Sequence, residues 1–571
     1  MQIKRTQIGY LVGGGLKENF RVRLTVSPQD IQEGAFVVIQ SGHWNYYGIV
    51  TDINLGATDP RFADEQTEVR FPAHIAKALH GQTLYANLEV LPNLMLEVGP
   101  ELGTPEYKDW QGKIDAGLKD APRILPVKNV PPHHAVVSLA NEGDIAEIFG
   151  KDEKEYFEIG KTREGDLPVR IDLKKFVQRS SGIFGATGSG KSFLTRVVLS
   201  GLIHKTDVSL LVLDMHNEYG YTYNPPEGGN AVPGLKDILG SKVKIVGLGR
   251  GKDAMYQGVA PDINLEIAMN DIHTGDIEIL SRELNLRETT PTTLAALFSR
   301  FKENWFREFM KLESMPKQKD EDGNSFYPDG SLEGWAESAG VHPEAAKGLH
   351  SRLSKLISGR SYVVDKSDND GVKQIVNALQ TGQSVILSFG RHDNDLDYLL
   401  VSNILTRRIR EAWEEKTNEY HRTKDATVLP RPLVIVIEEA HKLLNREMAS
   451  QTTFSTIARE LRKYYVTLLI IDQRPSQIYD EVMSQLGTRI SGWLGDDADI
   501  QAVLSGLSGR EALKGMLARL QSGKEVLLLG PWGVPMPLPV KSRRYNEDFK
   551  KELLGDKPKK SREQNMKELG F

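Results

Sequence analysis

The residues Gly185-Ala186-Thr187-Gly188-Ser189-Gly190-Lys191-Ser192 fill every position of a G-x-x-x-x-G-K-[ST] phosphate cradle. Small residues let backbone N–H groups turn inward as an anion nest, and Phe193 opens a helix whose positive end faces the phosphates. Lys191 would reach the β- and γ-phosphates as a point charge, and the Ser192 hydroxyl would ligand Mg²⁺. The alternative is a Gly-rich turn without a ligand. The apolar pair Ile183-Phe184 before it and the run Phe193 to Leu199 after it supply the strand-to-helix setting that a phosphate loop requires.

Hydrolysis needs a metal-holding acid and a group that aligns water. Leu433-Val434-Ile435-Val436-Ile437-Glu438-Glu439 is an apolar strand that ends in two acids. Glu438 would hold Mg²⁺, directly or through water, and Glu439 would act as general base. A solvent-exposed acidic strand end is the competing reading. Asp472-Gln473-Arg474-Pro475 follows the next apolar strand. Gln473 there could sense the γ-phosphate, or the segment could be a plain turn closed by Pro475. Arg459 and Arg462, three apart on a helical pattern, are candidate arginine fingers acting on a neighbouring subunit, with solvated surface charge as the alternative. Asp214 and Glu218, after another apolar run, could assist water or metal, or hold their loop. His133 and His134 are adjacent, which suits two faces of a strand better than one metal-ligand set.

These elements must be positioned by something large. At 571 residues the chain exceeds one ordinary core. Residues 1–160 show short β-rich runs (Ile8–Val12, Phe20–Leu24, Phe36–Ile39, Tyr46–Val50, Leu84–Leu88, Ala135–Leu139) between turn residues, which predicts a small β-barrel. Charged residues around 150–168 read as a linker or edge hairpin. Residues 161–545 alternate apolar strands with helical patterns, which predicts an α/β ATPase core with a largely parallel, doubly covered sheet. Between about 265 and 380 the rhythm breaks into a helical insertion. Leu294, Leu297, Phe298, Phe301, Trp305 and Phe309 form one apolar stripe there, and Leu349, Leu353 and Leu356 another. Met315 to Gly334 reads as a mobile loop, and 546–571 as a C-terminal tail. The absence of cysteine excludes disulfides and thiolate metal sites and is compatible with a reducing cytoplasm. No segment has the length and apolarity of a membrane span. A net charge of −5 argues against a broadly basic nucleic-acid surface, though not against a pore lined by a few basic residues per subunit.

With these motifs in order, the chain resembles the HerA family of HerA/FtsK-type hexameric motors. The matching residues are the phosphate loop, Asp214-Met215-His216-Asn217-Glu218-Tyr219, Ile437-Glu438-Glu439-Ala440-His441, and Ile457 to Tyr464 leading to Asp472-Gln473-Arg474-Pro475-Ser476. Two positions depart from the family pattern: Glu438 replaces the usual Asp, and Leu461 stands where a Gly is familiar. The resemblance implies a RecA-like core and a small family barrel. It also implies a hexameric ring that threads double-stranded DNA, with a nuclease or sirtuin-like effector docked on the barrel in DNA end processing or phage defence. Three readings follow: an ATP-driven DNA translocase or helicase, an ATP-regulated ring scaffold for an effector, and a protein-pumping motor.

Overall fold

The computed structural model describes all residues except 1–4, 59–83, 101–102, 223–230, 320, 322–323, 368–369, 393, 448–460 and 556–571. The chain divides into two compact units. The first contains residues up to Leu194, Gln473–Ser476 and Leu486–Arg543; the second contains Thr195–Asp472, Gln477–Gln485 and the segment from Arg544 onward.

In the first unit, β1 (Gln7–Gly15), β2 (Glu18–Leu24), β3 (Phe36–Ser41), β4 (Trp44–Ala57), β5 (Leu84–Glu97), β6 (Ile124–Pro126) and β7 (Val136–Leu139) form one sheet. Its order β2-β1-β7-β3-β4-β5 closes on itself because β2 also pairs with β5, through Phe20 with Val90 and Val22 with Leu88. The result is a six-stranded barrel, with β6 added outside the ring. Period-two alternation makes it close: Phe20, Val22, Val37, Ile39, Leu88, Val90 and Val137 share one core. His133 and His134 sit in the turn before β7 and not in a strand. His134 adopts φ 66° and lies against the Tyr10 ring at 5.5 Å.

The same unit carries a second group of strands in the order β10 (Ser181–Phe184), β21 (Thr488–Ser491), β22 (Glu525–Leu529), β23 (Leu538–Ser542), β8 (Tyr156–Thr162), β9 (Pro168–Asp172). Only β10 and β21 run parallel here; the others are antiparallel, so the expectation of a largely parallel sheet fails in this unit. A tight turn can join only antiparallel neighbours, and the β8–β9 pair is such a hairpin. The charged stretch around 150–168 enters the β8–β9 hairpin, the hairpin alternative of the sequence reading. Arg163, at the tip of that hairpin, forms a fork to Glu525 (2.9 and 2.7 Å) and donates to the Glu33 carbonyl at 2.6 Å, tying the barrel to these strands.

In the second unit, β11 (Ser209–Asp214), β12 (Val243–Leu248), β13 (Ile263–Leu265), β18 (Ser384–Ser388), β19 (Leu433–Glu438) and β20 (Val466–Asp472) lie in the order β13-β12-β18-β11-β19-β20, all parallel. β11, β18, β19 and β20 are buried along their whole length, as expected for strands covered on both faces. Two short ladders, β14 (Ile267–Ala268) with β17 (Val363–Val364) and β15 (Gln318–Lys319) with β16 (Ser325–Phe326), accompany the helices of this region.

The predicted aromatic stripe is two helices, not one. Thr290–Phe301 ends where Lys302 takes φ 52°, and Trp305–Lys311 starts afresh. Leu294, Leu297, Trp305 and Phe309 are buried, whereas Phe298 is 48% exposed. Leu349, Leu353 and Leu356 are buried on Pro343–Ile357 as their spacing predicts. The segment read as a mobile loop carries β15 and β16 and ends in Leu332–Ser338. There the fully buried Glu333 accepts from the Met315 amide at 3.0 Å and pairs with Lys347 at 3.0 Å.

Candidate nucleotide site and its acidic strand ends

In the first unit the phosphate loop leaves the wholly buried β10 and enters the helix Lys191–Lys205. Two bonds moor it to the exit of β21: Gly492 N–H donates to the Phe184 carbonyl (2.8 Å) and Ala186 N–H to the Trp493 carbonyl (3.0 Å). Leu194 N–H to the Gly190 carbonyl, 3.0 Å, starts the helix ladder. Gly188 and Gly190 hold φ 77° and 79°, conformations that side chains resist. A Cβ on Gly185 would lie 2.3 Å from Ser189 Oγ, and the space beside Gly188 is open. Ser189 Oγ is itself buried with no hydrogen-bond partner among the described residues. An open glycine apex, a buried hydroxyl, a lysine and a serine at a helix start together fit a triphosphate with Mg²⁺.

The Thr187 hydroxyl donates to Gln473 Oε1 at 2.6 Å, so the candidate γ-phosphate sensor contacts the phosphate loop directly. The turn behind it is pinned as well, since Ser476 donates to Asp499 Oδ1 from its amide (3.0 Å) and its hydroxyl (2.6 Å).

In the second unit β19 ends at Glu438, 4% exposed, followed by Glu439, 8% exposed at φ 48°. Two buried tyrosines hold the first acid. Tyr398 donates to the Glu438 carbonyl at 2.7 Å and Tyr219 to its Oε1 at 3.4 Å. Asp214 accepts from the amides of Glu218 and Tyr219 and from the Tyr256 hydroxyl, each at 2.9 Å. Burial pushes the Asp214 carboxyl above its ordinary range, against those hydrogen bonds. Asp214 therefore serves its loop, and through Tyr219 that loop reaches Glu438. The Glu218 carbonyl is fixed by the buried Arg196 at 2.7 Å.

Sequence reasoning assigned no role to His441 or Asp472, yet they join Glu439 in one cluster. Asp472, fully buried, accepts the His441 amide at 2.6 Å and faces its Nδ1 at 3.0 Å, while Glu439 lies 3.6 Å from the same nitrogen. The ligand atoms of these three residues lie within 4.8 Å of one another, close enough to hold a metal ion. The signal was present: an acid ending an otherwise apolar strand must find a buried partner. The Asp472 hydrogen bond raises the His441 pKa. Arg462 is exposed on the short 3₁₀ turn Leu461–Tyr464, and Arg459 lies outside the described residues.

The family described as "Helicase HerA, central domain" matches residues 157–409. The chain is 24% identical over 525 residues to the DNA double-strand break repair helicase HerA of Sulfolobus acidocaldarius, covering 91% of this chain and 90% of that protein. It is also 24% identical over 555 residues to the Sulfurisphaera tokodaii protein of the same description, covering 96% and 95%. Among solved structures, the plasmid coupling protein TrwB with a non-hydrolysable ATP analogue aligns at TM-score 0.44 and 12% identity, over 71% of this chain and 92% of that one. With its phosphate loop, its paired acids on β19 and relatives matched along nearly their whole length, the chain is similar to the HerA-type P-loop ATPases.

Proposed function

We propose that this protein is an ATP- and Mg²⁺-dependent DNA translocase or helicase that works as a hexameric ring on double-stranded DNA, beside a nuclease or sirtuin-like effector. The Thr187–Gln473 hydrogen bond carries the reading. It joins the phosphate loop to the residue that follows β20, so a change at the γ-phosphate can be passed to the chain beyond. The HerA relatives, described as DNA double-strand break repair helicases, supply the DNA substrate.

In this mechanism the loop amides and Lys191 would bind and orient the phosphates, Ser192 on the loop and Glu438 at the end of β19 would each be a candidate ligand for Mg²⁺, and the ion would neutralise phosphate charge. Glu439 takes a proton from the attacking water. Gln473 orients that water or donates to phosphate. An arginine from a neighbouring subunit, Arg459 before Arg462, counters transition-state charge, a contribution of about 10³–10⁵ in turnover.

The test is ATP turnover of the full chain with and without duplex DNA, alongside binding of a fluorescent ATP analogue. Lys191→Ala should lose binding or turnover. Glu439→Gln should retain ATP uncleaved, and Arg459→Ala should bind but hydrolyse slowly. Normal DNA-stimulated turnover in all three variants refutes the assignments.

The scaffold reading draws on exposed apolar side chains of the N-terminal segment, Leu16 at 56%, Leu55 and Leu118 each at 80% exposure. It expects Leu16→Asp with Leu55→Asp to abolish retention of a co-expressed nuclease while ATP turnover persists. Undiminished retention would remove the barrel from that role.

A further inference from the structure

Glu439 needs its carboxylate held in one place to act on water. At φ 48° it sits on a sharp turn, between the end of β19 and the helix His441–Leu444. What faces it is the His441 imidazole, 3.6 Å from Nδ1 to Glu439 Oε2. That ring is held independently. The His441 backbone N–H, an orphan donor of the helix start, is capped by Asp472 Oδ2 at 2.6 Å, and the ring nitrogen Nδ1 meets the same carboxylate at 3.0 and 3.2 Å. Asp472 is wholly buried at the end of β20, and the Ala440 amide donates to the Ile471 carbonyl at 3.3 Å, so the turn carrying Glu439 is bound to the same strand end. One carboxylate thus fixes backbone and ring together, with Nδ1 hydrogen-bonded to Asp472 and at ion-pair distance from Glu439. Asp472 is also the residue immediately before Gln473 in the chain.

We propose that His441 is a positioning residue for the catalytic carboxylate: anchored by Asp472, its Nδ1–H orients Glu439 and links it to the strand end that continues into Gln473. The proposal rests on Glu439 being the base. It assigns His441 no proton transfer and no contact with nucleotide. A donor at the Nδ1 position is what the role requires, and an asparagine amide places a donor at nearly that point, whereas alanine places none. A purely structural histidine, filling space at the helix start, would be equally lost in both substitutions.

The experiment measures steady-state ATP turnover of the full chain with duplex DNA for wild type, His441→Ala, His441→Asn, Asp472→Asn and Glu439→Gln, with fluorescent ATP-analogue binding as an independent readout of folding. His441→Ala should lose about 10- to 100-fold in kcat, as expected for misplacing a general base. Its KM and analogue affinity should stay within about twofold of wild type. His441→Asn should recover to within about fivefold of wild type in kcat, because it restores the donor. Asp472→Asn should fall with His441→Ala, and the double variant should be no worse than either alone, the non-additivity of residues acting as a unit. The proposal is overturned if His441→Ala keeps its kcat, if His441→Asn is as impaired as alanine, or if analogue binding falls in step with kcat. Failure of the underlying reading looks different, since Glu439→Gln would then hydrolyse ATP at the wild-type rate.

Discussion

Thr187 and Gln473 tie the phosphate loop to a polar side chain distant in sequence through a 2.6 Å hydrogen bond. Thr187→Val keeps the shape and removes the donor. It should leave nucleotide affinity within about twofold and lower DNA-stimulated turnover by about tenfold, the scale of one lost orienting contact of roughly 1.4 kcal/mol. Unchanged turnover would show that the bond is incidental. Asp397 offers a residue-scale test of stability. Burial opposes its charge, yet hydrogen bonds from His392, Tyr362 and Arg360 bring its pKa down to about 2. Because that lies below the unfolded carboxylate value of about 3.9, its stabilisation is present above about pH 4 and is lost as pH falls toward 2. The difference amounts to about 2–3 kcal/mol. Wild type should therefore lose urea resistance between pH 4 and about 2 more steeply than Asp397→Asn, which has no proton to bind there. Parallel slopes would remove Asp397 from the acid transition.

At the scale of elements, Lys302 shows how a break can be imposed on a periodic sequence. The residue takes φ 52° and ψ −133°, a conformation that glycine enters without steric penalty and lysine does not. The strain is offset by what the break achieves, the burial of Trp305, Phe306 and Phe309 on the following helix. Lys302→Gly should raise stability by about 1 kcal/mol, read as a higher urea midpoint with unchanged ATP turnover. A lower midpoint would mean that the lysine makes a compensating contact. Elements were legible where one period ran uninterrupted: Leu349, Leu353 and Leu356 face the core as their spacing requires, and the strand ending in Glu438 and Glu439 is buried throughout. The aromatic stripe from Leu294 to Phe309 was not, since a spacing of three and four residues survives a helix break that only backbone conformation reveals.

For the whole molecule the ring remains the proposal on which arginine assignment depends. Mass measurement of the full chain should show the monomer passing to a particle of about six subunits when ATP and duplex DNA are added, as closed cyclic assemblies require. A particle that stays monomeric under those conditions would exclude a trans-acting Arg459 or Arg462. No helix among the described residues is long and apolar enough to cross a membrane. The net charge of −5 places any DNA affinity in local basic surfaces, which makes binding steeply dependent on salt.

By itself the sequence determined the phosphate loop, the acidic end of β19, the barrel strands and the parallel strands of the second unit. Each of these is a local pattern, a fixed spacing of glycines and lysine or an unbroken apolar run, and local patterns are written in neighbouring residues. Tertiary structure alone decided that Asp214 serves its loop, that Thr187 meets Gln473 across 286 residues of chain, and that Asp472 anchors His441 beside Glu439. Those outcomes depend on which strand ends lie side by side. Strand order is set by the packing of whole elements, and no spacing within a single segment encodes it.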